Sequence, residues 1–101
     1  MISIEYRSVI LNNSSFITEK ELKQRFKQWA VEIVLFTRTL PKAKEFYVLK
    51  KQLIRSATSS AANYRAVCRS KSSPDFINKL KIVEEELDES MFWLEFIVAI
   101  D

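Results

Sequence analysis

The sequence contains no glycine and no histidine. Without glycine there are no phosphate-cradling loops, dinucleotide fingerprints or two-residue hairpin turns, all of which need backbone that glycine adopts most freely. Without histidine the commonest general base and the commonest zinc ligand are missing, as are the Glu-x-x-His pairs of di-iron bundles. The single cysteine, Cys68, excludes an internal disulfide and fits a reducing compartment. It sits in what reads as a helix interior with no base beside it, so a structural thiol is expected and an enzyme is not. The longest uncharged apolar run, Phe96 to Ile100, is far too short to span a membrane, and the N-terminus lacks the basic-then-apolar pattern of a secretory signal. A cytoplasmic protein with no cofactor, no metal site and no membrane partner is expected.

What is present is helical periodicity. A chain of 101 residues, 48% of them apolar, makes one domain, 1–101, with a single modest core. Residues 1–14 read as an irregular arm, in which Ile2, Ile4 and Tyr6 alternate weakly before Asn12, Asn13 and Ser14 break the pattern. Thr18 and Glu21 have the spacing of a capping box. Behind them Leu22, Phe26, Trp29, Ala30, Ile33, Phe36 and Leu40 recur at steps of three and four, predicting a helix over about 18–40 that Pro41 stops. A second helix is predicted over 44–68, with Phe46, Leu49, Leu53, Ala57, Ala61, Tyr64 and Val67 as its core stripe. Its middle, Ser56 to Ala62, is built only of Ser, Ala and Thr, which lets a neighbouring helix approach closely. Ser73-Pro74-Asp75 reads as a helix start with Ser73 as N-cap, and Phe76, Leu80, Val83, Leu87, Met91, Leu94 and Val98 form the stripe of a third helix over 74–100. From Met91 to Ile100 only Glu95 is polar, which describes a helix covered on all sides.

The formal charge of +3 hides a polarity. Residues 1–82 hold all 16 basic residues and 6 acidic ones, a net of +10, whereas residues 83–101 hold 7 acidic residues and no basic one. Such a division suggests self-pairing of the two segments or two surfaces with different partners.

The run Lys51-Gln52-Leu53-Ile54-Arg55-Ser56-Ala57-Thr58-Ser59-Ser60-Ala61-Ala62-Asn63-Tyr64-Arg65-Ala66 resembles the second-helix signature of the bacterial four-helix bundle proteins encoded in intervening sequences of 23S ribosomal RNA genes, also called S23 ribosomal-like proteins. Asp75 to Leu80, Val83 to Ser90 and Trp93 to Glu95 are similar to that family's third helix. The resemblance covers roughly residues 20–100. It implies an all-α, up-down four-helix bundle, here with three long helices and the fourth absent or truncated. It also implies assembly into a ring-like homopentamer. Kinship with the accessory protein of diversity-generating retroelements follows too, and that protein works beside a reverse transcriptase and contacts nucleic acid. The family continues beyond the position of Asp101, so Phe92, Trp93, Phe96 and Ile100 are expected to stand exposed as a fourth-helix or oligomer interface.

Two charged constellations stand out. Lys51 and Arg65 are 14 residues apart, as are Arg55 and Arg69, so the four form a line roughly opposite Leu53, which Lys71 continues into the loop. Phosphate contacts to RNA or DNA are one reading of this line; a solvated face, or salt-bridge partners for the acidic third helix, is the other. No aromatic residue is interleaved on it to stack bases. Glu84, Glu85, Glu86, Asp88 and Glu89 are the second constellation, in which Glu84, Glu86 and Asp88 are read as inter-helix ion-pairing residues rather than metal ligands. The expected function is that of a non-catalytic homo-oligomeric bundle that binds structured RNA or DNA through a basic helix face. The alternative is a protein-interaction or assembly module with no nucleic-acid role.

Overall fold

The computed structural model describes residues 17–101, so the expected N-terminal arm lies outside the described residues. It contains three helices, α1 (Glu19–Thr37), α2 (Lys44–Val67) and α3 (Ser73–Ile100), with no strand and no fourth helix among the described residues. The chain is all-α.

Local chemistry sets each boundary. Thr18 caps α1: its hydroxyl accepts from the Glu21 N–H at 3.1 Å, while the Glu21 carboxylate accepts from the Thr18 N–H at 3.3 Å. Two backbone donors that the first turn would leave unpaired are thereby satisfied. At the other end α1 stops at Thr37, three residues earlier than the periodicity predicts. Arg38, Thr39 and Leu40 wind into a tighter turn, donating to the carbonyls three residues back. The Thr37 and Thr39 hydroxyls donate to the Val34 and Phe36 carbonyls at 2.6 and 2.7 Å. Pro41 disfavours helical backbone at Leu40, and the threonines satisfy carbonyls the helix abandons. Leu40 still packs on the core.

The cap of α3 is shifted by one residue from the sequence expectation. Ser72, not Ser73, accepts from the Asp75 N–H at 3.2 Å, which places Pro74 at the second helical position. Asp75 accepts from the Lys71 N–H at 3.2 Å and from the Lys79 ammonium at 3.0 Å, tying the loop to the first turn. Those two donors hold its carboxyl below the usual carboxylate range, the Lys79 bond being the larger cause.

The helices lie side by side with α2 in the middle. It packs on both neighbours, while the backbones of α1 and α3 stay apart. The result is an elongated slab of 44 × 28 × 19 Å, its long axis matching the roughly 42 Å expected of the 28-residue α3. Ile33, Phe46, Leu49, Leu53, Ala57 and Ile97 form one core cluster, and Tyr64, Val67 and Val83 a second. Phe26 stacks on Tyr64 with ring centroids 4.8 Å apart.

Contact between α2 and α3 runs through serines. Ser56, Ser60 and Ser90 are fully buried, and the Ser90 hydroxyl donates to Ser56 Oγ at 2.8 Å across the interface. Ser56 and Ser60 donate to the carbonyls of Leu53 and Ala57 within their own helix. Every buried hydroxyl therefore has a partner, and the two backbones meet with little side chain between them. This shifts the core line of α3 away from the one predicted. Val83, Ser90 and Ile97 face α2, whereas Phe76, Leu80, Met91 and Val98 are exposed, because no described element lies over that side of the helix. Phe36 of α1 is exposed for the same reason, at 38%.

Candidate nucleic-acid interface

Each basic residue's place on the outer face of α2 follows from helical spacing. Arg55 and Arg65 lie about 40° to either side of Lys51, and Arg69 stands just beyond the end of α2, in the turn where its N–H donates to the Ala66 carbonyl. Arg55 leans toward α3 and Arg65 toward α1, which gives them different surroundings. The Arg55 guanidinium reaches the Glu89 carboxylate and lies 3.5 Å from Glu86. Its hydrogen bond to Glu89, above all, raises its already high pKa further. Arg55 thus ties α3 to α2 and is committed within the chain. Lys51, Arg65, Arg69 and the Lys71 side chain are exposed and make no ion pair with any described residue.

Arg65 belongs to a groove between α1 and α2. Its apolar floor is made by Ala30, Val31, Val34 and Leu35 of α1 and by Ala61 and Ala62 of α2. Lys23, Lys27, Arg38 and Arg65 rim it, enclosing about 430 Å³. Lys23 is paired with Glu19 at 3.7 Å, which leaves Lys27, Arg38 and Arg65 without an acidic partner among the described residues. Lys27 and Arg38 were not singled out from the sequence. Their separation of eleven residues, close to three full turns, places them on one face and was the available signal.

The acidic constellation does not act as a unit. Glu86 and Glu89 turn toward Arg55, whereas Glu85 and Asp88 are exposed and unpaired among the described residues. Glu84 is exposed, on the opposite side of α3 from Glu89. Among the described residues no group of His, Cys, Asp and Glu could hold a metal ion.

The apolar residues of the last turns fall into two surroundings. Phe92, Phe96 and Ile100 are exposed at 52%, 42% and 44%, but Trp93, expected to be exposed with them, is half-buried against the core. Its ring packs edge-on against Phe92 at 4.9 Å, and the Phe96 ring lies 6.0 Å from Phe92.

At the loop end a second cleft is lined by Glu19, Tyr64, Cys68 and Phe76. Burial pushes the Tyr64 phenol up, and burial with the neighbouring Glu19 carboxylate pushes the Cys68 thiol up. A thiol held in its protonated form is a poor nucleophile.

Three helices side by side in a slab, with the backbones of the flanking pair held apart, define the class: an all-α helical bundle. The family model described as 23S rRNA-intervening sequence protein matches residues 7–101, and the chain belongs to that family. No curated protein and no solved structure matches the chain. No described helix is long and apolar enough to cross a membrane.

Proposed function

We propose that the chain is a non-catalytic, homo-oligomeric bundle protein that binds structured RNA or DNA through the outer face of α2. The observation that carries this reading is the set of cations without internal partners on α2 and its loop, Lys51, Arg65, Arg69 and Lys71. An exposed cation with no carboxylate of its own is free to neutralise a phosphate and release its counterion. The face carries a single exposed aromatic ring, Tyr47, one turn before Lys51, so the contact is expected to rest mainly on the phosphate backbone and shape of a folded nucleic acid. The family's description links it to 23S rRNA, which makes structured RNA the first ligand to try. Family resemblance supplies five as the subunit number, and a reverse transcriptase or another protein as a further partner.

The test is Lys51→Glu with Arg69→Glu, titrated against a structured RNA at several salt concentrations. Binding should weaken at least tenfold, and the dependence on salt should flatten by about one unit of slope per lost phosphate contact. Parent affinity without salt dependence would overturn the nucleic-acid reading. A second reading, an assembly module with no nucleic-acid role, draws on Arg55, the one residue of the basic line that is committed to acidic side chains of α3. RNA binding that is absent in the parent protein, with its oligomer intact, would select it.

A further inference from the structure

Helix α3 carries two apolar faces, and one covering helix cannot reach both. Measured around the helix from Ile97, which faces α2, Leu87, Leu94, Leu80, Val98 and Met91 lie about 60–120° to one side. Phe96 and Phe92 lie about 100–140° to the other side. Glu89 lies on the same side as Phe96, and its bond to Arg55 on the exposed face of α2 fixes that side as the outer surface of the slab. A helix seated between α1 and α3 would cover the Leu87–Met91–Leu94 face and leave the phenylalanines bare.

The phenylalanine face is built as a ridge. Phe92 and Phe96 lean on each other and on Trp93, which is itself anchored in the core, so the rings are held before any partner arrives. Rigid aromatic residues of this kind dominate protein interfaces because little side-chain freedom is lost on docking. Asp88 and Glu95 flank the ridge, one turn before Phe92 and one residue before Phe96, and both are exposed and unpaired among the described residues.

The groove between α1 and α2 has the complementary chemistry. Val31 and Leu35 stand exposed in it, at 42% and 48%, over a floor of alanines with room for a ring. Its unpaired cations Lys27 and Arg38 match the unpaired carboxylates of the ridge. We infer that the Phe92–Phe96 ridge of one copy docks in the α1–α2 groove of the next. Ridge and groove are different surfaces on either side of α2, so the contact is head-to-tail and leads to a closed ring or an open filament.

The inference rests on the homo-oligomer reading above and names the two surfaces that mate. Its test uses the full chain and two charge reversals, Asp88→Lys with Glu95→Lys, and Lys27→Glu with Arg38→Glu. Each pair alone should reduce the mass by light scattering to that of one chain, and all four changes together should restore the assembly. A second measurement bypasses any loss of folding: Leu35→Cys with Phe92→Cys, in a Cys68→Ser background, should oxidise to a ladder of covalent oligomers. Neither single-cysteine variant should form that ladder. A parent assembly that survives both reversals, or that yields no ladder, would overturn these surfaces while leaving self-association standing. A monomeric parent would remove both. Loss of RNA binding in Lys27→Glu with Arg38→Glu, at unchanged mass, would assign the groove to nucleic acid and refute the docking.

Discussion

Ser90 provides the strictest test of how α2 and α3 meet. Its side chain is fully buried opposite Ser56, to which its hydroxyl donates at 2.8 Å, with the Glu86 carbonyl 2.9 Å away as a second acceptor. Ser56 in turn donates to Leu53. Ser90→Ala removes the first donor of this relay but leaves Ser56 its own bond, so no buried donor is orphaned. The expected cost is at most about 1 kcal/mol, the usual net worth of one hydrogen bond. Ser90→Leu is a different perturbation. It forces two extra heavy atoms between backbones already in contact and removes the hydroxyl as well. Overpacking costs about 1–3 kcal/mol and the lost bond about 1 more, giving roughly 2–4 kcal/mol. For a domain of this size each kcal/mol lowers Tm by about 4–8 °C, so Leu should lower it by roughly 10–25 °C and Ala by less than about 8 °C. The assay is thermal unfolding followed by circular dichroism, at one fixed protein concentration, since any association of copies would shift Tm by mass action. A Leu variant within about 5 °C of the parent, or an Ala variant that falls as far as Leu, would refute the close serine contact.

Stability should form a plateau in pH with an edge at each end. Asp75 titrates below its usual 3.8 in the folded chain, so its contribution is present above that pH and is lost as the pH falls through the lowered value; Asp75→Asn should soften the acid edge without removing it. Cys68 and Tyr64 titrate above their usual 9.0 and 10.0, so the folded state favours their protonated forms and stability declines as the pH rises past 9; Cys68→Ser should shift the onset of that alkaline edge upward, as measured by urea midpoints across pH. The Arg55–Glu89 pair is half exposed, and a double-mutant cycle with alanine should give a coupling below about 1 kcal/mol that shrinks with salt. A coupling above about 2 kcal/mol would mean that the pair is shielded in a way the structure does not contain.

The chain's punctuation was legible in its sequence. The Thr18–Glu21 box, Pro41 and Pro74 act locally, and local signals survive folding nearly unchanged. The core stripe of α2 was legible too, because a central helix buries one continuous face and its large residues declare it; of the predicted seven only Ala61 is left half-buried. On α3 the same reasoning misled, since it follows bulk. Fully buried Ser90 meets α2, and the large residues Leu80, Met91 and Val98 line a side that no described element covers. The basic line was traced on one helix, but its chemistry is divided by the neighbours on each side. Arg55 belongs to α3 through Glu86 and Glu89, and Arg65 belongs to a groove completed by Lys27 and Arg38. Only tertiary packing makes that division, so single-helix geometry could not contain it.

The central position of α2 also bears on the order in which the molecule comes apart. The backbones of α1 and α3 each approach only α2, although side chains of both flanks, Ile33 and Ile97 among them, meet in the core over it. Both flanks share the two core clusters with α2, but α3 is held in addition by the serine seam and the Arg55 bonds, whereas α1 brings no ion pair to α2 among the described residues. Partial opening therefore begins with α1 peeling away, a local event that precedes global unfolding. When it does, the basic groove ceases to exist while the aromatic ridge on α3 stays intact. The two surfaces have unequal lifetimes, and warming the protein opens the groove before it disturbs the ridge.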